Sequence, residues 1–575
     1  MNISREKIKL VSLISLTVVV AISAAIMASS LNVKYYSLLL VTLPFMFLSF
    51  KTHQKLNTLK TIAKLRKNWG AAVPRSRNLS EIHAHFSKAK DRAENKQILD
   101  DRTWNDLDMD IIYANLDRTL TIPGELSLYA LLRHPDTSVE ELDKRNRVIN
   151  LFSEDQEIRE EYQLKLSQLG KNEDAYHLEE LWENQPPRNR YVFLYRIMLL
   201  LIPVSIAAGI LVHGIAWFGL GAIILFNMFI HYRTKEKIYE HLSSIRYLGK
   251  IIRTAKRLSE IRHPVLDECH IEVEQALKKV SHMMNKTGLM GREADYIYEY
   301  LNIIFLIEVR AFYSLFNTIE QYQQQLKQIV AAIGYMDSMI SVASYRAGVK
   351  SFTVPKFLKT GPVLKIEEAV HPLLIKPVPN SISVESGGIL ITGSNMSGKT
   401  TFLKMIGVTV VLAQTINTCL ANKYEGSFFQ VKALIGRKDN VIEGKSYYLD
   451  EINALLRIIR GLDKDMPCLA LLDELFRGTN SAERIAASTE VLFYLGRQNC
   501  LIFAATHDLE LTELVKGSYS NFHFQESVTE QGISFNYKLT RGPSTTRNAI
   551  KLLRHVGYPS EIADAADERI KEEKK

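Results

Sequence analysis

Cysteine is scarce in this chain, and its spacing excludes two classes of protein. Four cysteines occur among 575 residues, and none belongs to a Cys-x-x-Cys pair: Cys269, Cys419, Cys468 and Cys500. Cysteine zinc sites and disulfide frameworks need paired spacing, so neither is predicted, and a reducing compartment fits. We expect all four to be small buried side chains. Internal repeats and low-complexity tracts are also missing, which excludes a repeat architecture.

Acidic residues are missing from one stretch of the chain. Residues 51–80 contain eight lysines and arginines but no Asp or Glu, within a chain whose formal net charge is +9. Such clustering is too strong for an average protein surface. The stretch directly follows an apolar segment, and that neighbour accounts for the positive charge.

Charged residues are absent from residues 10–31, which are long enough for a membrane-spanning helix. A second apolar run at 35–50 follows after a tight link, so the two predict a hairpin. Basic residues lie before the first run and after the second, which predicts that both ends are cytoplasmic. A cleaved signal peptide is the alternative, because an Ala-Ser-Ser sequence stands near residue 28. The apolar run is long for such a peptide.

A second apolar block predicts a second membrane hairpin, with spans at about 191–212 and 215–231. Arginines precede it and basic residues follow it, so both ends are again predicted to be cytoplasmic. The alternative is a pair of buried core helices, since the second run is short. Apart from Arg196 near one end, no ionisable residue lies in the middle of either span. A solute pathway normally contains such residues, so the hairpins are interpreted as anchors.

The remaining chain divides into helical regions and a C-terminal region with strand patterns. The helix that begins near residue 236 is basic; it could follow nucleic-acid phosphates or form a solvated face near the membrane. Pro355, Gly361 and Pro362 mark a boundary. The predicted domains are a first hairpin at 1–50, a basic segment and helical core at 51–184, a second hairpin at 185–235, long helices at 236–350 and an ATPase domain at 351–575.

An apolar strand, a glycine-rich loop and a helix follow one another at residues 389–404. This order is typical of a P-loop, in which backbone N–H groups and a helix N-terminus surround phosphate oxygens. We expect Lys399 to reach the β- and γ-phosphates of ATP and Thr400 to bind Mg²⁺. The alternative is a simple glycine-rich turn. The candidate nucleotide-binding residues are Gly393, Ser394, Asn395, Met396, Ser397, Gly398, Lys399, Thr400 and Thr401.

Two further apolar strands end in residues suited to phosphate chemistry. Residues 468–472 lead into Asp473 and Glu474, and residues 500–505 lead into Thr506 and His507. Asp473 would bind Mg²⁺, and Glu474 would polarise the attacking water. His507 would sense the γ-phosphate or hold that water. The predicted catalytic residues are therefore Glu474, His507 and Lys399.

Residues 367–566 resemble the ATPase domain of the MutS family of DNA mismatch-repair proteins. The segments that carry the resemblance occur in the family's order: His371-Pro372, Pro379-Asn380, residues 393–401, the signature-like segment 444–451, residues 473–480, residues 503–511, Tyr537 to Pro543 and Gly557 to Pro559. Residues 115–121 resemble the start of the family's helical core. The chain departs from the family at Pro377, where an aromatic residue would stack on adenine. We do not expect the family's mismatch-reading and connector domains, because only a hairpin and a basic stretch precede the helical core in this sequence, so mismatch specificity has no support in the sequence.

The resemblance implies an α/β P-loop ATPase domain of the ABC type, C-terminal to an all-α core and lever region, here with two transmembrane hairpins. It implies ATP and Mg²⁺ as cofactors and a homodimer in which Ser446 contacts the nucleotide of the partner subunit. It also implies long helices at 236–345 that act as levers and carry a DNA clamp.

These features predict a membrane-anchored MutS-like ATPase that couples ATP hydrolysis to DNA binding. The predicted location is the cell (inner) membrane, with the ATPase domain in the cytoplasm. One alternative is an ATP-switched membrane scaffold that does not bind DNA. Another is half of an ABC transporter, which the missing Leu-Ser-Gly-Gly-Gln signature and the missing intramembrane charge both disfavour.

Overall fold

Helices occupy the chain before residue 350, and strands begin at Lys356. The computed structural model describes residues 3–30, 32–90, 97–183, 192–212, 214–281, 283, 296–359, 361–394, 397–436, 447–529, 532–544 and 549–572. Two units can be distinguished, and neither is continuous in sequence. The first contains residues 1–73, 119–124 and 151–340, and the second contains residues 74–118, 125–150 and 341–575.

The α-helices of the described residues are numbered here in chain order. They are α1 (Ile3–Ser30), α2 (Thr42–Asn68), α3 (Leu79–Lys90), α4 (Asp101–Asp106), α5 (Met109–Leu116), α6 (Ile122–Arg133), α7 (Val139–Glu154), α8 (Gln156–Leu169), α9 (Glu180–Glu183), α10 (Val192–Leu211), α11 (Ala216–Ser259), α12 (Asp267–Val280), α13 (Tyr296–Phe305), α14 (Ile307–Gln321), α15 (Gln323–Gly348), α16 (Lys399–Ile416), α17 (Tyr447–Arg460), α18 (Ser481–Gly496), α19 (Glu510–Leu514), α20 (Ala549–Val556) and α21 (Ser560–Glu572). Shorter 3-10 helices lie at Val33–Val41, Glu173–Leu178 and Pro264–Leu266.

Several helices of the first unit have the length and composition of membrane spans. Among the described residues, Ile3–Ser30, Val33–Asn68 and Phe193–Leu211 are long and apolar enough. They overlap the predicted spans at 10–31, 35–50 and 191–212. The predicted fourth span lies in α11, a 44-residue helix outside this group. The bent pair Glu299–Phe305 and Ile307–Gln321, whose halves meet at 69°, is a further candidate if it counts as one span.

The apolar helices present large side chains on their surfaces. Leu40, Phe47 and Leu211 are 66%, 60% and 81% exposed. A contiguous apolar surface of this kind is rare on water-soluble proteins and is typical of surfaces that meet lipid or a partner. The helices α1 and α2 pack side by side, and Lys55 of α2 forms an ion pair with Glu6 of α1 at 2.5 Å.

The core of the first unit forms around the second half of α11. Ile245, Leu248 and Ile252 recur at helical spacing and are fully buried, so one face of α11 is covered. The helices α8, α12 and α14 pack against α11. Near the end of α2, the guanidinium of Arg66 donates two hydrogen bonds, of 2.6 and 2.8 Å, to the carboxylate of Glu160 in α8. The apolar helix α2 is therefore attached to a core helix of its own unit.

The second unit contains two sheets. The strands are β1 (Lys356–Phe357), β2 (Leu364–Ala369), β3 (Asn380–Val384), β4 (Gly388–Thr392), β5 (Lys423–Gly426), β6 (Gln430–Leu434), β7 (Cys468–Asp473), β8 (Cys500–Thr506), β9 (Tyr519–Thr529) and β10 (Gly532–Arg541). The smaller sheet has the order β1-β5-β2-β3, and the larger has the order β10-β9-β4-β8-β7-β6. In the larger sheet every neighbouring pair is parallel except β10 with β9.

The middle strands of the larger sheet are apolar on both faces. Every residue of β4 and β8 is buried, as is expected of parallel strands covered by helices on both sides. The helix α16 packs on β6, β7 and β8. Because β4, β7 and β8 are parallel, their carboxyl ends lie at one edge of the sheet. An open parallel sheet commonly binds its ligand at that edge. A helical N-terminal region and mixed α/β sheets in the C-terminal region agree with the predicted fold class at this level.

Candidate functional site

The loop after β4 has a backbone that only glycine adopts easily. Gly393 has φ +149° and Gly398 has φ +110°. A Cβ atom on Gly393 would lie 2.8 Å from Ser397 Oγ and 3.2 Å from the carbonyl oxygen of Phe524. A side chain at this position therefore has no room. The helix α16 begins at Lys399, so its free N–H groups face the loop and favour an anion there.

Lys399 directs its charge into this loop. Its Nζ donates hydrogen bonds to the carbonyl oxygens of Gly393 at 2.7 Å and Ser394 at 3.0 Å. The residue is only 4% exposed, and the described residues provide no partner for the nearby buried Oγ of Ser397. A buried ammonium and an unsatisfied hydroxyl beside a helix N-terminus form a site that favours anionic oxygens.

The end of β7 contacts the start of α16. Thr400 Oγ1 donates a hydrogen bond of 2.7 Å to Asp473 Oδ2. Asp473 Oδ1 is buried and has no hydrogen-bond partner within the described residues. Burial raises the pKa of Asp473, and the hydrogen bond from Thr400 opposes that shift. A buried carboxylate oxygen without a partner next to a hydroxyl is a suitable pair of ligands for a hard cation.

The turn after β7 is strained. Glu474 and Phe476 have φ of +48° and +59°, a region that non-glycine residues rarely adopt. The carboxylate of Glu451 in α17 stabilises this turn, because it accepts a hydrogen bond from the backbone N–H of Phe476. Glu451 is 4% exposed, and burial raises its pKa. Its role was not predicted, since its partner is a backbone amide 25 residues away and carries no sequence signal.

Glu474 and His507 lie together at the same edge. His507 Nδ1 is 3.4 Å from Glu474 Oε1. The interaction with His507 lowers the pKa of Glu474, and the interaction with Glu474 raises the pKa of His507. Glu474 is therefore held as a carboxylate, the form that accepts a hydrogen bond from water.

A cavity of about 490 Å³ opens beside these residues. Its lining includes the polar side chains of Lys399, Thr400 and Glu474 and the apolar or aromatic side chains of Leu374 and Tyr537. Its size is within the usual range of small-molecule sites. His371 also lines the cavity, and burial lowers its pKa to about 4, so this imidazole is neutral near pH 7.

An irregular pairing of β9 and β10 aims Tyr537 at the cavity. The register shifts between Phe535 and Leu539, and Tyr537 has φ +52°. A bulge of this kind redirects a side chain out of the strand's alternation. Asn380 fixes it, because its Nδ2 donates to the carbonyl oxygen of Tyr537 at 3.0 Å and its Oδ1 accepts from the N–H of Leu539 at 2.8 Å.

Tyr537 supplies an aromatic ring that the sequence did not lead us to expect. The resemblance implies an aromatic residue that stacks on the base at the position of Pro377. In this chain an aromatic ring reaches the cavity from β10 instead, through Tyr537. Asn380 and Tyr537 were part of the resemblance, but only their contacts assign them a role in shaping the cavity.

The structure brings most of the predicted site residues together. The loop residues and the strand ends meet at one edge of the sheet: Gly393, Ser394, Ser397, Gly398, Lys399, Thr400, Thr401, Asp473, Glu474 and His507. Asn395, Met396 and Ser446 lie outside the described residues. Within the described part of the chain, no group of three His, Cys, Asp or Glu side chains is placed to hold a metal. A cation at Thr400 and Asp473 would therefore need further ligands from a bound molecule.

Comparison with known proteins finds relatives of the C-terminal region. Residues 389–574 match the family model of MutS domain V. The C-terminal region belongs to the MutS family. The protein named DNA mismatch repair protein MutS from Petrotoga mobilis is 30% identical over 286 residues, which cover 46% of this chain and 33% of that protein. The protein of the same name from Thermus thermophilus is 27% identical over 263 residues, covering 45% of this chain and 32% of the relative.

The match to the MutS family is partial along both chains. The relative from Carboxydothermus hydrogenoformans is 29% identical over 276 residues, again 46% of this chain and 32% of its own length. This chain therefore matches about a third of the length of these MutS relatives. The predicted MutS resemblance is confirmed for the C-terminal region.

Proposed function

We propose that this chain is a membrane-anchored MutS-like ATPase that hydrolyses ATP in a composite dimer site and couples hydrolysis to DNA binding. The observation that carries the proposal is one cavity lined by Lys399, Thr400 and Glu474, with Asp473 bonded to Thr400 and His507 beside Glu474. Phosphate binding, cation binding and water activation need this combination.

The residues present fit ATP. Lys399 donates to two loop carbonyl oxygens, and the oxygens of a phosphate bound in the loop would be stronger acceptors for the same ammonium group. The N-terminus of α16 and Ser397 Oγ add donors around the same point. Tyr537, whose ring lies beside Gly398, and Leu374 offer apolar surface for the base in the same cavity.

The residues present also fit Mg²⁺. The unpartnered Asp473 Oδ1 and the Thr400 hydroxyl are hard oxygen ligands beside the phosphate loop. Bound Mg²⁺ would neutralise charge on the phosphates. Glu474, kept ionised by His507, would accept a hydrogen bond from the attacking water and orient it. His507, when protonated beside Glu474, would place a positive charge near the γ-phosphate as negative charge develops there.

The first test concerns nucleotide binding. Lys399→Ala should lose measurable ATP binding, because it removes the buried ammonium from the phosphate loop. Lys516→Ala is the matched control, since Lys516 is an exposed lysine that pairs with Glu513 at the end of α19. Fluorescence of a labelled ATP analogue measures both variants in full-length protein held in detergent. Equal affinities of Lys399→Ala and wild type would contradict the assignment.

DNA is the proposed partner because the relatives are DNA mismatch repair proteins and the chain is basic, with a net charge of +9. Contacts between basic side chains and phosphates predict that log K for DNA falls linearly as log salt rises. Salt-titrated binding by full-length protein in detergent tests this. Absence of binding even at low salt would favour the ATP-switched scaffold instead.

The membrane part of the proposal rests on the exposed apolar helices and their basic flanks. We propose that α1 and the segment Val33–Asn68 form the first hairpin and that α10 begins the second, in the cell (inner) membrane with both chain ends in the cytoplasm. Flotation with vesicles that survives alkaline carbonate tests insertion. Release into the soluble fraction would contradict it.

The composite site rests on the MutS resemblance. Ser446 of one subunit is proposed to reach the nucleotide of the other, so ATP binding should promote dimerisation. Mass measurement of the detergent-solubilised chain with and without a non-hydrolysable ATP analogue tests this. A monomer under both conditions would contradict the composite site.

A further inference from the structure

A bidentate ion pair between Arg484 and Asp508 lies next to His507. Arg484 Nε donates to Asp508 Oδ2 at 2.9 Å, and Arg484 Nη2 donates to Asp508 Oδ1 at 2.8 Å. Both side chains are largely buried, with 16% and 12% exposed. Parallel hydrogen bonds of this type fix orientation as well as distance. Asp508 is therefore held rigidly at the start of the segment that follows β8.

Local backbone contacts stabilise this arrangement. Asn480 caps the N-terminus of α18 through the N–H of Ala482, which places Arg484 in the first turns of that helix. The N–H of Asp508 donates to Thr506 Oγ1 at 3.0 Å. The ion pair therefore ties the start of α18 to the end of β8, where His507 lies.

His507 lies between two carboxylates. Its Nδ1 is 3.4 Å from Glu474 Oε1, and its Nε2 is 3.7 Å from Asp508 Oδ1. Among the described residues, three charged groups act on it: Glu474 from the turn after β7, Asp508 from its own segment and Arg484 from α18. Arg477 and Glu510 belong to the same cluster, because Arg477 pairs with Glu474 and Glu510 acts on Arg484. Arg477 Nε is 3.4 Å from Glu474 Oε2, so its positive charge offsets the negative charge of that carboxylate. Arg484 offsets the charge of Asp508 in the same way.

We propose that Arg484 and Asp508 are positioning residues that hold the His507 ring beside Glu474 and balance the charge around it. The proposal rests on the ATP hydrolysis proposed above. Arg484, Asp508 and His507 do not line the cavity, whereas Glu474, the neighbour of His507, does. Arg484 and Asp508 therefore act through His507 and Glu474 and not on the nucleotide directly. The pair makes the start of α18 part of the site, which the sequence pattern of the strand ends does not reveal.

The two members of the pair should act on His507 in opposite directions. The carboxylate of Asp508 favours the imidazolium, and the guanidinium of Arg484 disfavours it. Asp508→Asn should therefore lower the pKa of His507. Arg484→Gln should raise it, because it leaves the full charge of Asp508 facing the ring. A purely structural role would give both variants the same effect.

The experiment follows the histidine directly and follows activity alongside it. Full-length protein with ¹³C-labelled histidine, held in detergent, is titrated by NMR, and the His507 signal is assigned with His507→Gln. The pH profile of kcat for ATP hydrolysis is measured on the same variants. We expect the His507 midpoint and the matching limb of the profile to move to lower pH in Asp508→Asn and to higher pH in Arg484→Gln. We expect unchanged Kd for ATP in both.

Controls separate this inference from the proposed function. Arg497→Gln changes an exposed arginine at the other end of α18 and should leave the midpoint where it is. Midpoints that do not move, or that move in the same direction in both variants, would overturn the positioning role. The NMR titration needs no ATP turnover. Lack of hydrolysis by the wild type would therefore contradict the proposed function, while the NMR midpoints would still decide whether Arg484 and Asp508 act on His507.

Discussion

Tyr537 offers the sharpest test of the proposal that the cavity binds a nucleotide. The β10 bulge turns this ring toward Gly398, where its Cδ1 would be 3.4 Å from a Cβ atom on that glycine. Tyr537→Ala removes the ring, and alanine adopts the same positive φ at a similar cost, so the backbone should be preserved. Asn380 continues to hold the bulge, since it bonds to backbone atoms.

The size of the effect follows from the contact that is lost. Stacking of a base on an aromatic side chain contributes about 1 to 3 kcal/mol by alanine substitution. At about 1.4 kcal/mol per factor of ten, ATP affinity should fall roughly 5- to 150-fold. Tyr537→Phe keeps the ring and should bind ATP nearly as the wild type does. Because the phosphate loop is untouched, binding of inorganic tripolyphosphate should not change.

Isothermal titration of full-length protein with ATP and with tripolyphosphate measures both effects. Tyr494→Ala is a matched control, because Tyr494 in α18 is 48% exposed and Tyr537 is 45% exposed. Equal losses for ATP and tripolyphosphate, or no loss for either, would refute the assignment of Tyr537 to the base. A loss in Tyr494→Ala of the same size would point to a global effect.

Two further predictions concern buried charges on α15. Burial raises the pKa of Asp337 to about 6 in the folded protein. The folded state therefore gains stability from binding a proton at this carboxyl group, and the gain is complete below pH 4. As pH rises through 6 the gain is lost, which lowers the free energy of unfolding by an amount on the order of 3 kcal/mol. Thermal unfolding should therefore show Asp337→Asn gaining on the wild type between pH 4.5 and 7.5, and a relative loss over that range would contradict this sign. Arg346→Met should increase hydrogen exchange of the α16 amides, because it leaves the carbonyl oxygen of Asn417 unsatisfied at a cost of roughly 1 to 3 kcal/mol, whereas Thr418 Oγ1 still donates to the carbonyl oxygen of Ile416. The exposed Arg497→Met is its control, and equal exchange in both variants would refute the role.

The site could be predicted from the sequence wherever its residues follow a strand. Lys399, Asp473 and His507 each stand just after an apolar run, and parallel pairing brings such ends together. This prediction needs only one assumption about contacts between distant segments, which is that the strands pair in parallel. The same reasoning places Glu474, which follows Asp473, at this edge of the sheet.

Contacts between distant segments could not be predicted in this way. The placement of Tyr537 depends on a register shift between β9 and β10 and on hydrogen bonds from Asn380, 157 and 159 residues away. Glu451 serves a backbone N–H, which has no side-chain signature. The ion pair of Arg484 with Asp508 joins a helix start to a strand end, and its residue types alone suggest only two solvated charges.

The helical part shows the limit of hydropathy patterns. The apolar runs at 10–31 and 35–50 agree with long exposed helices. The helix that contains the apolar run at 215–231 does not end with that run. It is α11, which continues to Ser259 with one buried face. Helix continuity depends on backbone hydrogen bonds and not on composition, so a change from apolar to basic residues did not mark its end.

The central claim, that this MutS-family region hydrolyses ATP at the edge formed by β4, β7 and β8, is tested most directly with Glu474→Gln. ATP binding and phosphate release are measured on the same full-length samples in the presence of Mg²⁺. The wild type should release phosphate, and Glu474→Gln should bind ATP with similar affinity but release none, because the amide cannot accept a proton from water as the carboxylate does. Phosphate release at the wild-type rate by Glu474→Gln would contradict the account.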